Sequence, residues 1–135
     1  MNIKISENRI SQRSYYIPEN SMITLNGEWE FKFYQYDFEE NTIEKKWDKL
    51  NVPSCWELFG YESPNYANFA YPHPIDPPQI PTKNPMGIYK KEFEIEDTTG
   101  RIYIVFEGVS SCLELYINDK YAGYSTGSHL QAEFD

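Results

Sequence analysis

Proline concentrates in one stretch of this chain and forbids regular structure there. Eight of the nine prolines fall between Val52 and Tyr89, in VPSCWELFGYESPNYANFAYPHPIDPPQIPTKNPMGIY. Each lacks an N–H to donate and holds φ fixed, so neither a long helix nor a central strand fits that spacing. Irregular connections of this length are uncommon inside compact domains, and when ordered they are usually functional. Trp56, Phe59, Tyr61, Tyr66, Phe69 and Tyr71 supply the large apolar groups that disordered tracts lack. The stretch therefore reads as a rigid loop, braced by packed rings and built to present groups to something else.

The 135 residues leave room for one domain, which would bury roughly two thirds of its unfolded surface. Aromatics at 17% and a mean hydropathy of -0.67 suit a β protein and not a membrane protein. The longest apolar runs, such as Ile102 to Phe106, are far too short to span a bilayer. A formal charge of -9 and a pI near 4.7 argue against nucleic-acid partners, which need clustered Lys and Arg. Lys45, Lys46 and Lys49 do lie close together, but Glu39, Glu40, Glu44 and Asp48 offset them. MNIKISENRI contains no apolar segment of signal-peptide length, so the cytoplasm is the expected compartment. Cys55 and Cys112 form no CxxC or metal spacing, which favours two unpaired, partly buried thiols over a disulfide.

Residues 1 to 20 show no period and read as a docked extended arm. Past the Asn26-Gly27 turn signal, Trp29, Phe31 and Phe33 alternate with Glu28, Glu30 and Lys32, as a half-buried strand requires. A weak pattern at Thr42 to Lys46 suggests a helical turn. Gly87 to Ile95 reads as a strand, with Lys91 marking an edge or a bulge. Asp97-Thr98-Thr99-Gly100 then turns the chain into a strand over Arg101 to Glu107, and Leu113, Leu115 and Ile117 repeat the alternation. Asn118-Asp119 tolerates positive φ and is expected to form a hairpin with Lys120 to Ser125. Strands joined by turns, with almost no helical period, indicate a β-sandwich. A jelly roll has about eight strands, more than this count yields. The expectation is therefore a fragment, or a chain whose open edges another chain or a second copy covers.

Several catalytic patterns are missing from the sequence. It has no Gly-rich phosphate loop, no HExxH and no GxSxG, and His73 and His129 stand at no ligand spacing with a cysteine. Sequence cannot bring either histidine to Ser54, Cys55 or Cys112 as a triad, nor nominate a carboxylate pair for glycoside hydrolysis. The loop does carry sugar-like recognition chemistry: aromatic faces for a pyranose, and the amides of Asn65, Asn68 and Asn84 beside Tyr66, Phe69 and Tyr71. Composition alone favours the plainer reading, with the asparagines serving turns and the rings filling a small satellite core.

A series of motifs shifts that balance. Leu25-Asn26-Gly27-Glu28-Trp29, Trp47 and Val52-Pro53-Ser54-Cys55-Trp56 resemble the opening of glycoside hydrolase family 2 enzymes. Gly60-Tyr61, Pro64, Tyr66, Asn68, Tyr71-Pro72, Pro77-Pro78, Pro81, Asn84-Pro85 and Gly87-Ile88-Tyr89 are similar to the amino-terminal domain of the large bacterial β-galactosidases. So are Phe106-Glu107-Gly108-Val109, Asn118 with Gly123-Tyr124, and Ser128 to Asp135. The match runs over about residues 22 to 135, leaving 1–21 as the arm and 52–89 as an active-site loop.

That resemblance implies an all-β, galactose-binding-domain-like jelly-roll β-sandwich, incomplete at its C-terminal strands, followed in the parent by further β-sandwich domains and a TIM barrel. Both catalytic carboxylates of the family's retaining mechanism would lie on the barrel, so no residue here is catalytic and the fragment alone is expected to be inactive. The resemblance places a galactosyl contact at Asn68, with Phe69 lining the same subsite. The galactoside is the implied substrate, and a homo-oligomeric parent is compatible with it. Magnesium and sodium are implied for the parent, with ligands outside this chain. Trp29, Trp47 and Trp56 are assigned to the sandwich core and to holding the loop. Two positions depart from the family pattern: Asn118-Asp119 in place of Asn-Gly, and Cys55 at a polar position. The competing readings are a stand-alone carbohydrate-binding module, which would need its own concave site, and a structural domain of a family 2 β-glucuronidase or β-mannosidase.

Overall fold

The structure is a computed structural model that describes residues 6–11, 22–35, 46–64, 76–79, 81 and 84–135. It divides into two compact units, one of Met1–Met22 with Ile95–Asp135 and one of Ile23–Glu94. Every strand pairing among the described residues is antiparallel, and the only helical segment among them is one 3-10 turn. The fold is all-β, and antiparallel pairing of this kind is what a jelly-roll β-sandwich uses.

In the unit of Ile23–Glu94, β2 (Gly27–Tyr34) lies between β3 (Asp48–Val52) and β4 (Met86–Lys90). Directly opposed residues share a face, so the register sets Trp29 beside Leu50, and Phe31 between Asp48 and Tyr89. Phe31 and Leu50 are fully buried, each worth about 1.5–3 kcal/mol of apolar burial. On the other face the Lys49 ammonium donates to Glu28 at 2.5 Å and Lys90 lies 3.7 Å from Glu30. The expected alternation of β2 is seen. The strand expected to continue to Ile95 stops at Lys90, because pairing with β2 ends at Glu30, and Phe93 and Ile95 are exposed.

The unit of Met1–Met22 with Ile95–Asp135 holds β1 (Ser6–Glu7), β7 (Lys120–Thr126) and β6 (Cys112–Ile117) in the order β1-β7-β6, and β5 (Ile104–Phe106) paired with β8 (Ala132–Phe134). Leu115, Ala132 and Phe134 form its core, with Ile104, Phe106, Leu113 and Ala122 packed around them. Gly123 sits where a side chain would collide, since a Cβ there would lie 2.7 Å from both the Glu7 carbonyl oxygen and Phe134 Cε1. Residues 6–10 are tied down by Asn8 Nδ2 donating to the Ala122 carbonyl, Arg9 Nη1 donating to Ser125 Oγ at 2.9 Å, and Ile10 N–H donating to the Glu133 carbonyl. The strand expected over Arg101 to Glu107 shortens to three residues, matching the three that β8 offers it. Thr42 to Lys45 of the expected helical turn lies outside the described residues.

Asn118 and Asp119 form the β6–β7 turn with φ of 50° and 62°, both left-handed as a type I′ hairpin needs. Asp119 carries a Cβ where glycine fits without strain. Asp119→Gly is expected to raise stability by about 0.5 kcal/mol, net of the greater freedom of the unfolded glycine, read as a higher urea midpoint at unchanged slope.

Candidate functional site

The two ends of the long loop converge on the inner face of β2. After Val52 the chain enters the 3-10 turn Trp56–Phe59, and Gly60 ends it in the left-handed region at φ 82°, its N–H donating to the Glu57 carbonyl. This geometry sends Trp56 inward and leaves Leu58 and Phe59 outward, 78% and 50% exposed. The Trp56 ring packs 5.5 Å from Phe33 and 6.2 Å from Phe31, centroid to centroid. Tyr61 follows, its ring 4.9 Å from Phe31 and edge-on to it, with the hydroxyl donating to Asp48 Oδ2 at 2.8 Å. From the far end of the loop Tyr89 completes the cluster, 4.7 Å from Phe31. Edge-on and tilted ring contacts at these separations add about 0.5–1.5 kcal/mol each beyond area burial.

Gly87 makes the arrangement possible. A Cβ on it would lie 2.6 Å from Trp56 Cζ3 and 2.8 Å from Phe31 Cε2, so the indole lies flush on bare backbone. The Trp56 indole N–H is buried and has no hydrogen-bond partner among the described residues. Trp29 donates through Nε1 to the Leu25 carbonyl at 2.8 Å, and Lys32 Nζ stands 4.5 Å over the Trp47 ring. All three tryptophans thus serve packing in this unit.

Burial pushes the Tyr89 phenol up to about 12, with the charges of Glu57 and Cys55 adding to the rise. Tyr61 is raised as well, first by burial and then by its bond to Asp48. Both phenols stay neutral donors at physiological pH. Cys55 and Cys112 are free and exposed, not the partly buried thiols expected, because each lies where its segment faces solvent. Asn84 is exposed just before β4. Asn68 and Phe69, the expected sugar contacts, lie outside the described residues, as do Asn65, Tyr66 and Tyr71. No three His, Cys, Asp or Glu side chains gather as a metal-holding group among the described residues. Sequence reading treated Asp48 as one charge among several. Its role in holding Tyr61 depends on the β2–β3 register, which no local pattern reveals.

The signature described as glycosyl hydrolases family 2, sugar binding domain, matches residues 22–135. The chain belongs to that family. Its curated relatives include proteins named beta-galactosidase from Kluyveromyces lactis, 39% identical over 98% of this chain, and from Alteromonas mediterranea, 42% identical over 82% of it. A third, from Oenococcus oeni, is 38% identical over 87%. The chain spans only 12–14% of the length of these relatives. Within this family 2 domain, the matched region includes the whole ring cluster and both described ends of the loop.

Two outcomes follow from the cluster. Gly87→Ala should destabilise the protein by about 1–3 kcal/mol, since two rigid rings must move to admit one methyl group, and a lowered urea midpoint would register it. Tyr89 ionises near 10 when unfolded and near 12 when folded, so the folded chain holds more protons between those values. Its contribution is complete below pH 10 and is lost as pH rises toward 12. Midpoints measured across that window should fall less steeply for Tyr89→Phe than for the parent.

Proposed function

We propose that this chain is the first domain of a β-galactosidase, an enzyme hydrolysing terminal non-reducing β-D-galactose residues in β-galactosides. In this reading Asn68 donates an amide hydrogen bond to the bound galactosyl group, and Phe69 lines the same subsite. The observation that carries the reading is that relatives bearing that name match 98% and 82% of this chain at 39% and 42% identity. Physical support comes from the loop's two ends, where Trp56, Tyr61 and Tyr89 close on Phe31 and give a fixed base to whatever the intervening residues present. A carboxamide suits a sugar hydroxyl because it donates and accepts at once, and a bond held in fixed geometry favours one epimer over another.

The chain corresponds to 12–14% of its relatives' length, so the hydrolytic carboxylates, with magnesium and sodium, are assigned to other domains of the whole protein. Those domains, further β-sandwiches and a TIM barrel, are the proposed partners of this one. No helix of the described residues is long and apolar enough to cross a membrane. Two free exposed thiols, Cys55 and Cys112, fit a reducing compartment, and the cytoplasm is the proposed location.

Asn68→Ala in the full-length enzyme tests the assignment. Removing one hydrogen bond to a sugar hydroxyl should cost about 0.5–1.5 kcal/mol, lowering kcat/KM for an aryl galactoside by about two- to tenfold. An unchanged kcat/KM rejects the contact.

A further inference from the structure

The β6–β7 hairpin carries two tyrosine rings that take no part in the core. Tyr116 and Tyr121 are cross-strand partners, 54% and 42% exposed, with ring centroids 5.6 Å apart at 70°. In an unbroken ladder Tyr121 would share the face of Gly123 and Ser125, which is buried. The register shift between Leu115 and Tyr116 breaks that alternation and sets Tyr121 against Tyr116. Each phenol tip is then fixed by a carboxylate: Tyr116 donates to Glu114 Oε2 at 3.1 Å, and Tyr121 to Glu7 Oε2 at 2.8 Å.

Two exposed rings at a steep angle, held at their tips, form a stiff, bent apolar platform. The C–H face of a pyranose ring matches such a surface. Glu114 is exposed, and its carboxylate has roughly four acceptor sites, of which Tyr116 uses one. The remainder accept from hydroxyls, which a sugar supplies along its ring edge. The same carboxylates, Glu114 and Glu7, repel anions, so phosphorylated or uronic ligands are disfavoured and a neutral one is selected. The bond to Glu114 also raises the Tyr116 phenol, which stays uncharged.

We propose that Tyr116, Tyr121 and Glu114 form a carbohydrate-binding surface for a neutral pyranose residue of a glycan, using residues other than Asn68 and Phe69. It goes beyond the reading above and does not need Asn68 to touch substrate.

Native affinity electrophoresis of the full-length protein, in gels containing a soluble neutral β-galactan or a soluble neutral β-glucan, tests it. The parent protein should be retarded by at least one of them. Retention should weaken about tenfold in Tyr116→Ala and in Tyr121→Ala, equivalent to about 1.4 kcal/mol. Tyr121→Phe keeps the ring and should keep most of the retention. Glu114→Ala keeps both rings but removes the acceptor and frees the Tyr116 hydroxyl, and it should also weaken retention, at an unchanged melting temperature, which guards against a folding artefact. All four variants should hydrolyse a small aryl galactoside with parental kcat/KM, whereas Asn68→Ala should lower kcat/KM and leave the tyrosine-dependent retention intact. No retardation of the parent by either glycan overturns the proposal. So does retention that survives both alanine substitutions, or a change of oligomeric state in those variants without a change in retention.

Discussion

The contact of the Trp56 indole with the bare backbone of Gly87 is the constraint on which the loop's base depends. A strand position without a side chain lets a 3-10 turn some thirty residues upstream press its largest ring onto the sheet. Phe31 then packs against Trp56, Tyr61 and Tyr89 and is fully buried. With prolines limiting the backbone between the two ends, ring packing does the work that a hydrogen-bonded ladder does elsewhere. The order of dependence is plain: alternation makes β2, β2 buries Phe31, and Phe31 gathers the loop's two ends.

Polar groups refine this base. The Tyr61 hydroxyl on Asp48 ties the loop's entry to β3, and Lys91 Nζ donating to the Glu28 carbonyl at 2.8 Å ties the residue after β4 to β2. Both are exposed bonds of modest worth individually, yet they fix where the packed rings are allowed to sit. A sugar-binding role needs this kind of stiffness, because discrimination among hydroxyl epimers rests on donors that do not follow the ligand as it shifts.

Much of this was legible in the sequence, for identifiable reasons. The alternation of Trp29, Phe31 and Phe33 announced β2, and the positive-φ tolerance of Asn118-Asp119 announced the hairpin, since each is a local rule with a local signature. β3 was not legible, because Asp48-Lys49-Leu50-Asn51-Val52 offers only Leu50 and Val52 as apolar residues and exists by virtue of its partner. β8 is three residues long, too short for any period to emerge. The end of β4 at Lys90 was missed for the same cause in reverse: Phe93 and Ile95 continue the pattern past the point where β2 stops pairing. At the candidate site, tryptophan marked the loop's fastening, but Asp48 and Gly87 take their roles from register and close approach, which a linear reading does not carry.

The outward face of the β3-β2-β4 sheet sets Glu28 and Glu30 among Lys32, Lys49 and Lys90. Opposite signs alternate there within a few ångströms, although the whole chain carries a formal charge of -9. Two carboxylates among three ammoniums leave these five groups with one positive charge, against the sign of the chain as a whole. The ion pairs on this face are exposed, so each contributes little on its own and added salt screens it further.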